Sequence, residues 1–152
     1  MTTTRRHGVA LAPPQIGEIG WHLVRAGWKR GPCAAHEGPV VVSFTDFTFA
    51  KWRDVPGAWL AAMRLRRAWP QLHGAVGLML WVRPLSRRSG SISVWASEAD
   101  LRRFVSWPVH LAIMRRYGPR MLGTSATWRS DRFVRSEAVA EARRRLAPDG
   151  GG

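Results

Sequence analysis

The chain has 152 residues, 45% of them hydrophobic, which is enough for one domain with a real core. No apolar window is long enough to span a bilayer, the run from Val9 to Ala12 is too short for a signal peptide, and the one cysteine, Cys33, cannot form an internal disulfide, so a cytoplasmic location is expected. The formal net charge is +14, but the arginines are scattered from Arg64 to Arg145, mostly where a helix faces solvent, and they read as a solvated basic surface rather than a nucleic-acid groove.

Residues 1–38 read as an irregular N-terminal arm, broken by Pro13-Pro14, Gly17, Gly20, Gly27, Gly31-Pro32 and Gly38-Pro39. Ile16, Ile19, Leu23 and Val24 suggest one short amphipathic helix within it, edged by Trp21, Arg25 and Trp28. The core begins at residue 39. Val40 to Ala50 is rich in β-branched and aromatic residues and predicts the first strand. Asp54 offers an N-cap, and Ala58, Ala62, Leu65 and Trp69 recur at helical spacing until Pro70 stops the helix. Gly74 to Val82 predicts the second strand, Pro84 to Gly90 a polar turn, and Ser91 to Ala96 the third strand of a hairpin. Ser97 with Asp100 predicts a capped helix from Glu98, interrupted at Trp107-Pro108 and ended at Gly118-Pro119. Met121 to Trp128 predicts the fourth strand, and Glu137 to Leu146 a last helix within a C-terminal segment, 134–152.

The order strand, helix, strand, strand, helix, strand is the split βαβ arrangement, an α+β ferredoxin-like βαββαβ fold with a four-stranded antiparallel sheet. Both helices cover one face. The strands are apolar on both faces, so the second face is expected to be bare until a twin subunit covers it, giving a homodimer with a sheltered pocket between sheet and helices. The junction Trp95, Ser97, Leu101 and Phe104, leading to His110, resembles the dimeric α+β barrel superfamily over residues 39–133. That group contains antibiotic-biosynthesis-monooxygenase-like, haem-degrading and spheroidene-monooxygenase-like proteins. The resemblance implies a dimeric barrel and a monooxygenase-like activity on a small apolar, polyketide- or isoprenoid-like substrate. It also implies that His110 stands where haem-degrading relatives place their iron ligand, although Val109 and Pro108 depart from the alanine–histidine context of those relatives.

Read from the residues, His110 shares a helical face with Ile113, Met114 and Tyr117, and a neutral imidazole there suits a general base or an axial ligand. Asp46, a carboxylate inside an apolar strand, is the second catalytic candidate, with Arg53 or Arg83 as its partner. Trp52, Trp81, Trp95 and Trp128 are candidates to stack a substrate, and Arg83 to clamp an anionic one. No glycine-rich phosphate loop, nucleophile elbow or paired-cysteine zinc motif occurs. Three readings stand: an oxygenase with no cofactor and His110 as base, a haem protein with His110 as axial ligand, and a non-catalytic basic module for nucleic acid or acidic lipid.

Overall fold

The structure is a computed structural model that describes residues 3–7 and 24–146. Six strands form one antiparallel sheet: β1 (Thr3–His7), β2 (Val24–Arg30), β3 (Val40–Phe49), β4 (Ala75–Arg83), β5 (Arg88–Trp95) and β6 (Met121–Ser130), in the order β1-β6-β3-β5-β4-β2. Helix α1 (Asp54–Ala68) connects β3 to β4. Helices α2 (Glu98–Val105) and α3 (Pro108–Tyr117) connect β5 to β6, and α4 (Arg135–Leu146) follows β6. The four central strands and the helices between them are the expected βαββαβ unit. The arm contributes two further strands, one at each edge, so the sheet is wider than the core alone predicts. Of the short arm helix, residues 16, 19 and 23 lie outside the described residues, and Val24 opens β2.

Local sequence explains most boundaries. Pro108 at the first turn of α3 follows Trp107 in extended backbone, which separates α2 from α3 where the proline was expected to act. The Ser97 hydroxyl accepts the Asp100 N–H at 3.2 Å and donates to the Asp100 carboxylate at 2.6 Å, closing the N-terminus of α2. Asp54 does not cap α1. It is the first helical residue, buried, with a carboxylate that receives Arg120 at 2.9 Å. The third core strand begins at Arg88, three residues early, because the polar turn tightens into one turn of 3-10 helix at Pro84–Ser86 with Arg87 in the left-handed region.

The period-two alternation of the strands sorts two cores. Val41, Leu78, Leu80 and Trp95 face α1, α2 and α3 and meet Leu65 and Trp69. Val40, Val42, Phe44, Ile92, Val94, Trp81, Ala126 and Trp128 point to the second face. The sequence led to the expectation of a bare face awaiting a twin subunit, and the structure corrects it. Ala138 and Val139 of α4, with Trp28, Cys33 and Phe133, lie against it, and Trp28 stacks on Phe133 at 5.1 Å. Apolar residues on both sides of the strands therefore find cover within one chain. Gly90 makes room on this face, since a Cβ there would lie 2.3 Å from the Trp81 ring and 2.3 Å from the Thr45 carbonyl.

Candidate functional site

The face of the sheet toward α1–α3 is apolar at its β4 side and hydroxyl-bearing at its centre. In β3, Ser43 and Thr45 point to the helix side, between Val41 and Phe49. Register sets Ser93 and Thr127 on either side of Ser43, and Ser91 and Ser125 on either side of Thr45. Six hydroxyls thus form a grid of two rows and three columns, with neighbouring Cβ atoms roughly 4.5–5.5 Å apart. Thr45 and Ser91 bond to each other at 2.8 Å, and Ser93 receives the Trp95 indole N–H at 3.0 Å. Ser43, Thr45, Ser91, Ser125 and Thr127 are only half-buried. A hydroxyl both donates and accepts, so this floor can meet phenol, carbonyl or carboxylate oxygens. None of these hydroxyls is among the site residues expected from the sequence. The signal for them is present in the sequence: hydroxyl residues at every second position of strands that must pair.

His110 lies on α3 in the stripe that continues through Ile113 and Tyr117, both of which reach the helix-side core. Its ring is 4.6 Å from Phe104, which in turn lies 4.9 Å from Trp95. Nδ1 is 3.1 Å from the Val105 carbonyl. A carbonyl only accepts, so Nδ1 carries the proton and the neutral ring keeps its lone pair on Nε2. Burial pushes the imidazole below the ordinary histidine range, against the opposing pull of the Val105 carbonyl. His110 is therefore neutral at pH 7 and is both a base and a nitrogen ligand by its chemistry.

The other sequence-predicted site residues do not join it. Asp46 is 5% exposed and points to the second face, so the sheet separates it from α3 and its histidine. Its ion-pair partner is Arg88, at 2.6 Å, rather than Arg53 or Arg83. Burial raises the Asp46 carboxyl, only partly offset by Arg88 and by the charge of Arg83. Trp81 and Trp128 also belong to the second face and are buried there. Trp95 is on the helix side but fully buried, edge-on to Trp69 at 4.8 Å, so it supports the site from beneath and does not line it. Trp52 is 54% exposed at one end of the sheet. A cavity of about 250 Å³ lies on the second face, between Trp128 and α4. Among the described residues no group of histidine, cysteine and acidic side chains is placed to hold a metal ion, and no helix is long and apolar enough to cross a membrane.

Solved structures share this architecture. The haem-degrading enzyme LmHde of Listeria monocytogenes superposes with a TM-score of 0.50 at 14% identity, over 70% of each chain. A candidate monooxygenase of Lactobacillus acidophilus superposes with a TM-score of 0.53 at 11% identity, over 71% of this chain and 49% of its own. The chain has the fold of these proteins. It spans about half the length of the Lactobacillus protein. SnoaB, a cofactor-independent oxygenase of Streptomyces nogalater, gives a TM-score of 0.48 at 17% identity, over 63% of this chain and 96% of its own. No family model matches the sequence, and no curated protein matches it. At these identities the likeness concerns fold, and the chemistry rests on the residues.

Proposed function

We propose that the chain is a small monooxygenase-like enzyme whose substrate, a flat apolar molecule bearing several oxygen functions, lies between the hydroxyl floor and α3. The grid of Ser43, Thr45, Ser91, Ser93, Ser125 and Thr127 carries this reading. A pure hydrocarbon would leave those hydroxyls desolvated, whereas an oxygenated polycycle of polyketide type satisfies them. Oxygenation without a cofactor converts a methylene and dioxygen into a carbonyl and water. His110 Nε2 takes the first proton from the acidic substrate, and the carbanion then supplies electrons to dioxygen. Lowered basicity suits the task, because the imidazole stays unprotonated at neutral pH. The proposal includes a homodimer and, with Cys33 free, a cytoplasmic setting.

The test is oxygen uptake with a dihydroxyanthrone as probe, followed by appearance of the anthraquinone. His110→Ala should lower the rate by about 10²–10⁴, and Thr45→Val should raise KM more than it lowers kcat. Turnover unchanged in both variants overturns the reading.

One observation favours a second reading. A histidine whose Nδ1–H is held by a backbone carbonyl presents Nε2 as metal-binding histidines do. His110 fits an axial ligand on that ground, and haem bound there would supply iron for dioxygen activation. The hydroxyl floor would then hold the rim oxygens of the group. Titration with haemin, read as a Soret shift lost in His110→Ala, separates the two: a shift favours haem, and turnover without it favours the first reading.

A further inference from the structure

At one end of the sheet β3 and β4 finish and β5 and β6 begin, and three connections knit together there. The Phe49 N–H donates to the Arg87 carbonyl at 2.8 Å, the Ala50 N–H to the Arg120 carbonyl at 2.8 Å, and the Arg87 guanidinium to the Ala50 carbonyl at 2.7 Å. Two of the connections each present one large apolar side chain to solvent, Trp52 at 54% and Leu85 at 64% exposure, and Leu122, the second residue of β6, is 50% exposed at the same end. Single exposed apolar residues are ordinary, but two on turns and one at the start of the neighbouring strand, all at one end of the sheet, make a patch.

Charge surrounds the patch and has one sign. Lys51, Arg53 and Arg87 sit on these connections, and Arg115 and Arg116 in the last turn of α3 lead into them. None of the five makes an ion pair among the described residues. The two carboxylates at this end, Asp46 and Asp54, are buried and paired with Arg88 and Arg120. The other described carboxylates, Glu37, Glu98, Asp100, Asp131, Glu137 and Glu141, lie beyond the opposite ends of the strands or on α4.

We infer that this end docks on an anionic lipid surface, with Trp52, Leu85 and Leu122 entering the interfacial layer and the cations facing the headgroups. Tryptophan favours that layer, where one side of its ring is wet and the other apolar. Leucines gain from acyl chains and gain nothing from phosphates along a nucleic acid. A second copy is the wrong occupant, because two such ends would oppose five uncompensated cations to five. The surface is independent of the proposed chemistry and would bring the protein to substrates dissolved in membranes.

The experiment is sedimentation of the full chain with vesicles of phosphatidylcholine alone and of phosphatidylcholine mixed with phosphatidylserine. The intact protein should sediment with the mixed vesicles only, less so at high salt. Leu85→Ser with Leu122→Ser, and separately Lys51→Glu with Arg53→Glu, should each lower partitioning by about tenfold or more. All four positions are exposed, so the fold should survive, as circular dichroism would verify. Leu60→Ser on the outer side of α1 and Arg135→Glu at the start of α4 are controls that should bind as the parent does. Brominated lipid should quench a fraction of the fluorescence that Trp52→Phe removes. Failure to bind mixed vesicles, equal loss in the controls, an unaffected leucine pair, or salt-sensitive binding to duplex DNA without vesicle binding would each overturn the proposal.

Discussion

Trp95 separates support from contact. Its side chain is fully buried, with Trp69 at 4.8 Å, Phe104 at 4.9 Å and Ser93 accepting its indole N–H at 3.0 Å. A tryptophan buries about 200 Å², which at roughly 25 cal/mol per Å² is near 5 kcal/mol. Truncations of large buried aromatics cost about 3–5 kcal/mol, so Trp95→Ala should lose about 4 kcal/mol, a large share of a small domain's stability. Urea unfolding followed by circular dichroism reads this as a fall in midpoint at unchanged slope. The gentler Trp95→Phe should fold and still loosen Phe104, which carries the contact on to His110 at 4.6 Å. Water then reaches the imidazole, and its pKa, followed by NMR titration, should climb toward the ordinary 6.5. A cost below about 1 kcal/mol for the alanine variant, or an unmoved His110 titration in the phenylalanine variant, would refute the reasoning.

Other expectations follow from the same contacts. The depressed pKa of His110 means that its contribution to stability is present above pH 6.5 and is lost as pH falls through the folded value, so His110→Gln should flatten that limb of the stability curve while removing turnover. Burial tends to raise the Asp100 carboxyl, but bonds from Ser97 and His73 and the charges of His73 and Arg103 outweigh it and hold it below the carboxylate range. Its stabilisation is present above about pH 3.8 and fades as pH falls through the folded value; Asp100→Asn should cost about 1–3 kcal/mol at neutral pH and shrink that acid dependence. Asp46 has the opposite sign. Its raised carboxyl weakens the fold as pH rises from about 3.8 through the folded value, so Asp46→Asn should flatten that decline and leave turnover near the parent's. Gly74→Ala should destabilise by more than about 1 kcal/mol, because φ is +76° and the added Cβ would fall 2.0 Å from the Asp100 Cγ.

Much of the fold was legible because local signals agreed with one another. Ser97 and Asp100 cap α2, Pro108 breaks α2 from α3, and β3 is written in β-branched and aromatic residues. The arm was not legible, because Val24–Arg30 contains a glycine and three cations and becomes a strand only through the edge that β4 offers it. The division of the site was not legible either. Asp46 and Thr45 are adjacent in sequence, and one residue of register decides that Asp46 faces α4's side of the sheet and Thr45 the histidine's side. Tryptophan count was a poor guide, since Trp95, Trp81 and Trp128 fill two cores while Trp52 lies outside both. The helical spacing of His110, Ile113 and Tyr117 is legible in the sequence, but the tautomer of His110 depends on the Val105 carbonyl, which comes within reach where Pro108 bends the chain between α2 and α3.

Chemical-shift mapping of the isotopically labelled protein with a dihydroxyanthrone asks directly on which side of the sheet the ligand lies. Perturbations concentrated at Thr45, Ser91, Ser125 and His110, with Asp46, Trp81 and Trp128 silent, are the predicted result. Shifts centred on Asp46, Trp81 and Trp128 with His110 unmoved would contradict the account.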